Sequence, residues 1–357
     1  MKSIRLPLGG VIDRSQPLRF SFDGQSLEGF AGDTLASALL ANGKSLIGRS
    51  FKYHRPRGIF TAGSDEPNAL VELRSGARRE PNSRATTVEL FDGLEARSQN
   101  RFPSLRFDLL SVNGLFAPFL SAGFYYKSFM WPASWWEKIY EPAIRRAAGL
   151  GRASGKEDPD TYEKQHAFCD VLVAGGGPAG LMAALSAARA KARVILCDED
   201  FLFGGRLLAE KHRWGEKPAS DWVAETLAEL RSLPNVTLLP RTSLLTVYDG
   251  DTYAALEQVS DHLPVPPPHQ PRQRLWKIVA RRMILATGSH ERLIACGGND
   301  LPGVMQASAI RSFVNRFAVA PGQAIAFFTP PTVAGRPRAN WWKPAFALLR
   351  WWLRAAL

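Results

Sequence analysis

The stretch DVLVAGGGPAG, residues 170–180, decides the fold of this chain. Its first half, Asp170–Ala174, predicts a short buried strand, and the Ala-rich stretch 181–190 predicts a helix. A glycine-rich turn, Gly175–Gly180, joins the two. Strand, glycine turn and helix in this order are typical of a nucleotide-binding βαβ unit.

The turn has the spacing Gly-x-Gly-x-x-Gly, and each glycine has a mechanical reason. Gly175 permits a tight turn, Gly177 lets a diphosphate approach the backbone, and Gly180 lets the helix pack against the sheet. Free N–H groups and the dipole at the helix start attract the diphosphate. We therefore predict cofactor-binding residues at Gly175, Gly177, Pro178, Ala179 and Gly180.

A second buried strand, Arg193–Cys197, ends in acidic residues. Asp198, 23 residues after Gly175, is placed to accept hydrogen bonds from a ribose diol. Glu199 takes this role instead if the strand ends one residue later. An acidic side chain repels a 2′-phosphate, so NAD or FAD is favoured over NADP.

Two later turns add candidate cofactor contacts. A glycine pair ending at Gly205 lets the chain pass close to the cofactor and places Arg206 near a phosphate. Thr287 and Gly288 close a later strand and bring the backbone beside the dinucleotide. An ordinary loop is the alternative interpretation of each turn.

Strand and helix signals alternate through residues 166–322, which we interpret as a Rossmann-type FAD/NAD(P)-binding domain. The further signals are a helix at Asp221–Leu233 and strands at Val236–Leu239 and Lys277–Ala286. Strands that alternate with helices predict an α/β fold with a doubly wound parallel sheet.

The sequence of residues 1–95 instead predicts a small α+β domain. Its predicted order is strand, turn, strand and helix, followed by two more strands. The predicted features are a strand at Leu18–Phe22, a hairpin turn at Asp23-Gly24, a helix at Leu35–Leu40 with Asp33 as N-cap and Asn42-Gly43 as its end, and strands at Ala69–Leu73 and Thr86–Leu90.

Residues 96–165 form an aromatic-rich connector. It either packs between the flanking domains or serves as a subunit interface, and the sequence favours neither. Residues 109–126 lack charge but contain Asn113, Gly114, Pro118 and Gly123, so we predict no membrane span.

Composition excludes several classes of protein. The chain has 357 residues, 45% of them hydrophobic, and a net charge of +12 from 45 Lys+Arg against 33 Asp+Glu, which is globular rather than disordered. The basic residues are scattered, so we predict no nucleic-acid partner. Cys169, Cys197 and Cys296 are too far apart for a disulfide framework, and neither they nor the six histidines show metal-ligand spacing. The cysteine usage favours the cytoplasm. No catalytic residue can be identified.

Further motifs resemble the N-terminal part of the alpha subunit of heterotetrameric sarcosine oxidase, over about residues 10–320. These motifs are Gly48–Gly58, Asp65–Leu70, Gly123–Lys127, Glu141–Gly151, Gly204–Leu207, His290–Arg292 and Pro302–Met305. The resemblance implies NAD at the Gly175 site, FAD in a beta subunit, FMN at the alpha–beta interface, and beta, gamma and delta partners. It also implies oxidation of sarcosine to glycine, with hydrogen peroxide formed from oxygen and the one-carbon unit passed to tetrahydrofolate. The isolated chain is then expected to be inactive.

The same resemblance makes the first domain similar to a two-iron ferredoxin. Thr61, Glu66 and Ala69 stand where cluster-binding relatives have cysteines, so we expect the fold without the cluster. Residues 323–357 depart from the family, and we interpret them as a truncated or frame-shifted end, which leaves the nucleotide-binding fold incomplete. The alternative for this tail is an amphipathic helix from about residue 341 that docks on a partner or membrane surface.

Two other functions stay open. One is the alpha subunit of a related amine or opine dehydrogenase, with FAD at the Gly175 site. The other is a non-catalytic assembly scaffold or a non-functional truncated product.

Overall fold

The computed structural model describes residues 4–120, 123–124, 129–149, 151–214 and 216–326. The chain divides into two compact units. The first comprises Met1–Arg5, Asp13–Asp158 and Arg292–Ile310, and the second comprises Leu6–Ile12, Pro159–Glu291 and Arg311–Leu357. The interpretation of the tail falls largely on residues 327–357, which lie outside the described residues.

The first unit is built around a five-stranded sheet, and two further short strands pair with each other. The strands in chain order are β1 (Asp13–Phe22), β2 (Gln25–Ala31), β3 (Gly48–Arg49), β4 (Pro56–Arg57), β5 (Leu70–Leu73), β6 (Glu80–Arg84) and β7 (Leu94–Ser98). The sheet order is β2-β1-β7-β5-β6, while β3 and β4 pair separately. The predicted hairpin joins β1 to β2, and its turn residues Asp23 and Gly24 have φ values of 50° and 78°, as an Asp-Gly turn favours.

Helix α1 (Leu35–Ala41) is fully buried, and its end at Asn42 and Gly43 was predicted correctly. The predicted N-cap, Asp33, is wrong by one residue. Thr34 caps the helix through a reciprocal pair of hydrogen bonds with Ser37. The Asp33 carboxylate is instead held by Arg5, at 2.9 and 2.6 Å, and by the Ser37 hydroxyl at 2.6 Å.

The predicted strand at Thr86–Leu90 is also wrong. This segment runs beside the start of α1, where the amides of Leu35 and Ala36 donate to the carbonyls of Val88 and Ala85 at 2.8 and 2.9 Å. Its backbone therefore satisfies helix N–H groups that have no intrahelical acceptor. Propensity for β structure is outweighed here by that tertiary need.

In the residues that the structure describes, the helical elements of the aromatic connector are short. They are 3-10 helices at Leu109–Phe116 and Ala133–Trp135, a π-helical turn at Trp136–Tyr140 and helix α2 (Glu141–Ala147). Many of its apolar side chains are exposed, including Phe119 at 74% and Trp131 at 85%. Among the described residues, no helix combines the length and apolarity that crossing a membrane requires.

The second unit is an α/β fold built on a six-stranded sheet. Its elements are β8 (Tyr162–Ala174), α3 (Pro178–Arg189), β9 (Val194–Cys197), β10 (Arg213–Trp214), β11 (Lys217–Pro218), α4 (Ala219–Ser232), β12 (Val236–Leu239), β13 (Thr242–Tyr248), β14 (Thr252–Gln258) and β15 (Gln273–Leu285). Helix α5 (Ala307–Asn315) follows. The sheet order is β12-β9-β8-β15-β14-β13. The first four strands are parallel, and β14 and β13 add in antiparallel fashion.

Both faces of β9 and of the end of β8 are buried, which explains the continuous apolar sequences there. Helices α3 and α4 pack on the face that carries Val173 and Leu196. The opposite face, which carries Leu172 and Cys197, packs with Tyr253 of β14. Cys197 is thus a core residue, as predicted, and burial raises the pKa of its thiol to about 12.

Candidate dinucleotide site

The strand register brings the predicted site residues to one edge of the sheet. Ala174, the last residue of β8, pairs with Cys197 of β9 and with Leu285 of β15. The three loops that follow therefore leave the sheet side by side. The strand order reverses between β8 and β15, and such a reversal is where open α/β sheets bind ligands.

Gly175 and Gly180 have no room for side chains. Gly175 has a φ of +103°, and a Cβ there would lie 2.4 Å from the carbonyl oxygen of Ala286. A Cβ on Gly180 would lie 1.8 Å from the carbonyl oxygen of Gly175. Glycine at both positions is required by the packing of the protein itself.

Gly177 differs from these two glycines. It is the N-cap of α3, its φ of −74° suits any residue, and it offers no side chain to cap the helix. A Cβ on Gly177 would find its nearest neighbour at 3.9 Å, the Cα of Gly205. The protein therefore leaves space in front of the first N–H groups of α3, which lack intrahelical acceptors. A diphosphate fits such a cradle.

The second glycine turn lies directly against the first. The amide of Gly204 donates to the carbonyl of Gly176 at 2.8 Å. Gly205 has a φ of +52°, and a Cβ there would lie 2.8 Å from the Cα of Gly177. The structure thus places the two glycine turns in contact, whereas the sequence indicated only that each could approach the same cofactor.

Arg206 points elsewhere. Its guanidinium is 66% exposed and donates to Glu210 Oε1 at 2.9 and 2.6 Å. Glu210 also accepts from Arg311 at 2.9 Å. In this conformation the charge of Arg206 is engaged by Glu210.

Asp198 lies beneath the glycine loop. The amide of Gly176 donates to its Oδ2, and the amide of Asp200 donates to its Oδ1 at 2.8 Å. Burial raises the pKa of the Asp198 carboxyl to about 6, with smaller contributions from the charges of Asp200 and Glu199, although the two amides oppose the shift. Glu199 is exposed to solvent, so Asp198 is the better placed of the two.

The turn after β15 also borders the loop. The amide of Ala286 donates to the carbonyl of Ala174 at 2.8 Å, and the amide nitrogen of Thr287 lies 3.0 Å from the Cβ position of Gly175. Gly288 has a φ of +71° and no atom within 4 Å of its Cβ position. Ala286 and Thr287 therefore lie against the glycine loop, whereas Gly288 makes no close contact at its Cβ position.

Two site residues were missed by sequence reasoning. The buried ring of Phe203 packs on Gly176, where a Cβ would lie 2.2 Å from it. Arg316 pairs with Asp200 Oδ1 at 2.8 Å, and its guanidinium lies 5.1 Å from the ring centroid of Phe201. Phe203 directly precedes the glycine pair, which is a usable signal, but nothing local links Arg316 to an acidic turn 116 residues away.

Other chemistry is sparse in the described part of the chain. No three His, Cys, Asp or Glu side chains converge there to hold a metal ion. Cys169 and Cys197 are buried, and Cys296 is exposed. The residues present fit a dinucleotide, with an open glycine cradle, a helix start without a side-chain cap and a carboxylate beside it.

Comparison with known proteins finds two family matches in this chain. Residues 15–101 match a family described as a 2Fe-2S iron-sulfur cluster binding domain. Residues 169–317 match the pyridine nucleotide-disulphide oxidoreductase family.

Over 92% of its length the chain is 60% identical to the alpha subunit of the sarcosine oxidase of Rhizobium meliloti. Over nearly its whole length the chain is therefore similar to a part of sarcosine oxidase alpha subunits. It spans only 33% of the Rhizobium meliloti relative, and 29% of the corresponding protein of Corynebacterium sp. strain U-96, to which it is 37% identical over 90% of its length. The resemblance predicted from the sequence motifs is confirmed.

The chain is also similar to two more distant proteins. An opine oxidase component of Agrobacterium tumefaciens is 33% identical over 40% of this chain and 28% of its own length. The L-proline dehydrogenase of P. horikoshii has a TM-score of 0.57 and 22% identity, covering 90% of this chain and 50% of its own. That likeness shows the fold alone, and it confirms the predicted fold class.

Proposed function

We propose that this chain is the dinucleotide-binding part of the alpha subunit of a sarcosine oxidase. The single observation that carries the proposal is the open cradle at Gly177, which faces the start of α3 beside Asp198. Gly175 and Gly180 are explained by protein packing, whereas the packing of the protein leaves the space at Gly177 open. The similarity to sarcosine oxidase alpha subunits supports the choice of reaction.

The bound group is NAD, with FAD as the alternative. A bound dinucleotide supplies a hydride-accepting or hydride-donating ring. The residues of this chain bind and orient it. The first amides of α3 hold the diphosphate, Asp198 accepts hydrogen bonds from the ribose hydroxyls, and Gly205 allows close passage of the backbone. Arg206 reaches a phosphate by releasing Glu210.

The amine chemistry belongs to other subunits in this proposal. FAD held by a beta subunit would supply the oxidant for demethylation of sarcosine to glycine, and FMN held at the alpha–beta interface would supply the group that returns the electrons to oxygen and so gives hydrogen peroxide. Tetrahydrofolate takes the one-carbon unit, and gamma and delta subunits complete the heterotetramer. The complex is expected in the cytoplasm.

A subunit of a related opine or amine dehydrogenase is the second candidate, and the similarity to the opine oxidase component favours it. In that case FAD occupies the Gly175 site. A non-catalytic scaffold or non-functional product is the third candidate, and the exposed apolar side chains of the connector favour it.

Purification of the chain alone and with a beta subunit separates these functions. We expect the isolated chain to be colourless, to retain NAD and to form no peroxide from sarcosine. Flavin absorbance in the isolated chain favours the opine-type subunit. Peroxide formation by the chain alone contradicts the division of labour. Binding of a beta subunit without either dinucleotide leaves the scaffold, and binding of neither leaves the non-functional product.

A further inference from the structure

Glu66 is a buried carboxylate in the first unit whose two oxygens are both taken up by backbone amides. The residue is only 1% exposed. Oε2 accepts from the amides of Phe60 at 2.9 Å and Thr61 at 2.6 Å. Oε1 accepts from the amides of Asn68 at 2.8 Å and Ala69 at 3.0 Å. Four N–H groups from the two ends of one loop therefore converge on a single anionic group.

The loop has the spacing of an iron–sulfur site but not its chemistry. Thr61, Glu66 and Ala69 reproduce the C-x4-C-x2-C spacing that holds two-iron clusters, within the segment that matches an iron–sulfur cluster binding family. Such clusters need thiolate ligands. Every cysteine of the chain lies outside residues 15–101, so the residues present do not fit the cluster.

An iron–sulfur loop is also organised by N–H groups, because backbone amides donate hydrogen bonds to the cluster sulfurs. A carboxylate is an equally strong acceptor for such donors, since hydrogen bonds to an ionised group are short and strong. We propose that the Glu66 carboxylate replaces the cluster as the anion around which residues 60–69 fold. The loop keeps the closed form of a cluster-binding loop and transfers no electrons.

The closed loop supports a second motif of the same unit. The amide of Gln306 donates to the carbonyl of Phe60 at 2.9 Å. A Cβ on Gly58 would lie 2.7 Å from the Cα of Pro302. Glu66 thus fixes the surface on which residues 302–306 rest, so its loss is expected to loosen that segment as well.

Amide hydrogen exchange of the whole chain tests the proposal, with Glu66→Gln and Glu66→Ala as variants and the exposed Glu28→Gln as the matched control. In the native chain the amides of Phe60, Thr61, Asn68 and Ala69 should be protected. In Glu66→Ala these four amides should exchange on the order of 10- to 100-fold faster. In Glu66→Gln, which keeps one acceptor oxygen, their exchange rates should be intermediate between those of the native chain and of Glu66→Ala. Anaerobic treatment of the native chain with iron and sulfide should leave no bound iron.

Faster exchange confined to the loop and to residues 302–306 supports the proposal. Global unfolding of Glu66→Gln, with Glu28→Gln intact, supports it too, because the loop then cannot close without the carboxylate. Unchanged protection in Glu66→Ala overturns it, as does stoichiometric iron with the visible absorbance of a cluster in the native chain.

Discussion

The amide of Gly176 donates a hydrogen bond to the carboxylate of Asp198. This bond ties the end of one parallel strand to the glycine loop that follows its neighbour. It also places a largely buried acid, with a pKa of about 6, where a ribose is expected. Much of the behaviour of the site follows from this pair.

The raised pKa of Asp198 predicts a particular pH dependence of stability. The folded chain holds this proton to about pH 6, whereas the unfolded chain loses it near pH 3.9. A rise in pH through this window therefore favours unfolding, by about 1–3 kcal/mol for this group. Urea unfolding of the ligand-free chain and of Asp198→Asn from pH 4 to 7.5 measures it. The native chain should lose stability relative to the variant between about pH 4 and 6. Parallel curves would rule out a buried, titrating Asp198.

Asp198 rather than Glu199 should select the nucleotide. Asp198→Asn should weaken NAD binding by about 10-fold, because the ribose hydroxyls lose a charged acceptor. It should also reduce the ratio of NAD affinity to NADP affinity, because the charge that repels a 2′-phosphate is removed. Glu199→Gln, on the exposed neighbour, should change NAD affinity by less than about 2-fold. Calorimetric titration of both variants decides the matter. A larger loss in Glu199→Gln would move the ribose contact to that residue.

The close approach of Gly205 to Gly177 should make side chains costly there. Gly205→Ala adds a Cβ 2.8 Å from the Cα of Gly177 at a φ of +52°. Gly250 also has a positive φ, +69°, but open space around its Cβ position, so Gly250→Ala controls for strain alone. We expect Gly205→Ala to lose about 1–3 kcal/mol more in free energy of unfolding. Equal losses in the two variants would show that the turns are not in contact.

Arg316 should matter more than a typical surface arginine. It pairs with Asp200 and lies against the rings of Phe201 and Phe317. Arg316→Ala should lower the free energy of unfolding by about 1–3 kcal/mol and loosen the acidic turn. The pair between Arg189 and Glu229 is exposed, at 61% and 38%, so Arg189→Ala should cost no more than about 1 kcal/mol. Chemical denaturation compares them, and indistinguishable variants would refute the role of Arg316.

The features that the sequence predicted correctly are those that depend on neighbouring residues in the chain. Gly175 and Gly180 could be recognised because a tight turn and close helix packing require glycine wherever they occur. Strand β9 and the end of β8 were recognised because burial on both faces leaves continuous apolar stretches. Asp198 followed from the end of such a stretch.

The missed features depend on distant parts of the chain. Strand β13 is exposed at its last four residues and β14 buries three consecutive residues, so residues 242–258 show little inside–outside alternation. Thr86–Leu90 has strand-forming residues, yet its carbonyls serve the start of α1. Arg206 was predicted to lie near a phosphate, but in the structure its guanidinium pairs with Glu210.

The amides in front of Gly177 are proposed to hold a diphosphate, and the whole functional assignment depends on that contact. Calorimetric titration of NAD and of FAD into the native chain, Gly177→Val and Gly297→Val tests it most directly. Both positions have an ordinary φ, and the nearest atom to a Cβ lies 3.9 Å away at Gly177 and more than 4 Å away at Gly297. We predict binding to the native chain and to Gly297→Val, and a loss of at least about 100-fold in Gly177→Val with its fold unchanged. Equal affinity in all three proteins, or no heat with either dinucleotide, would contradict it.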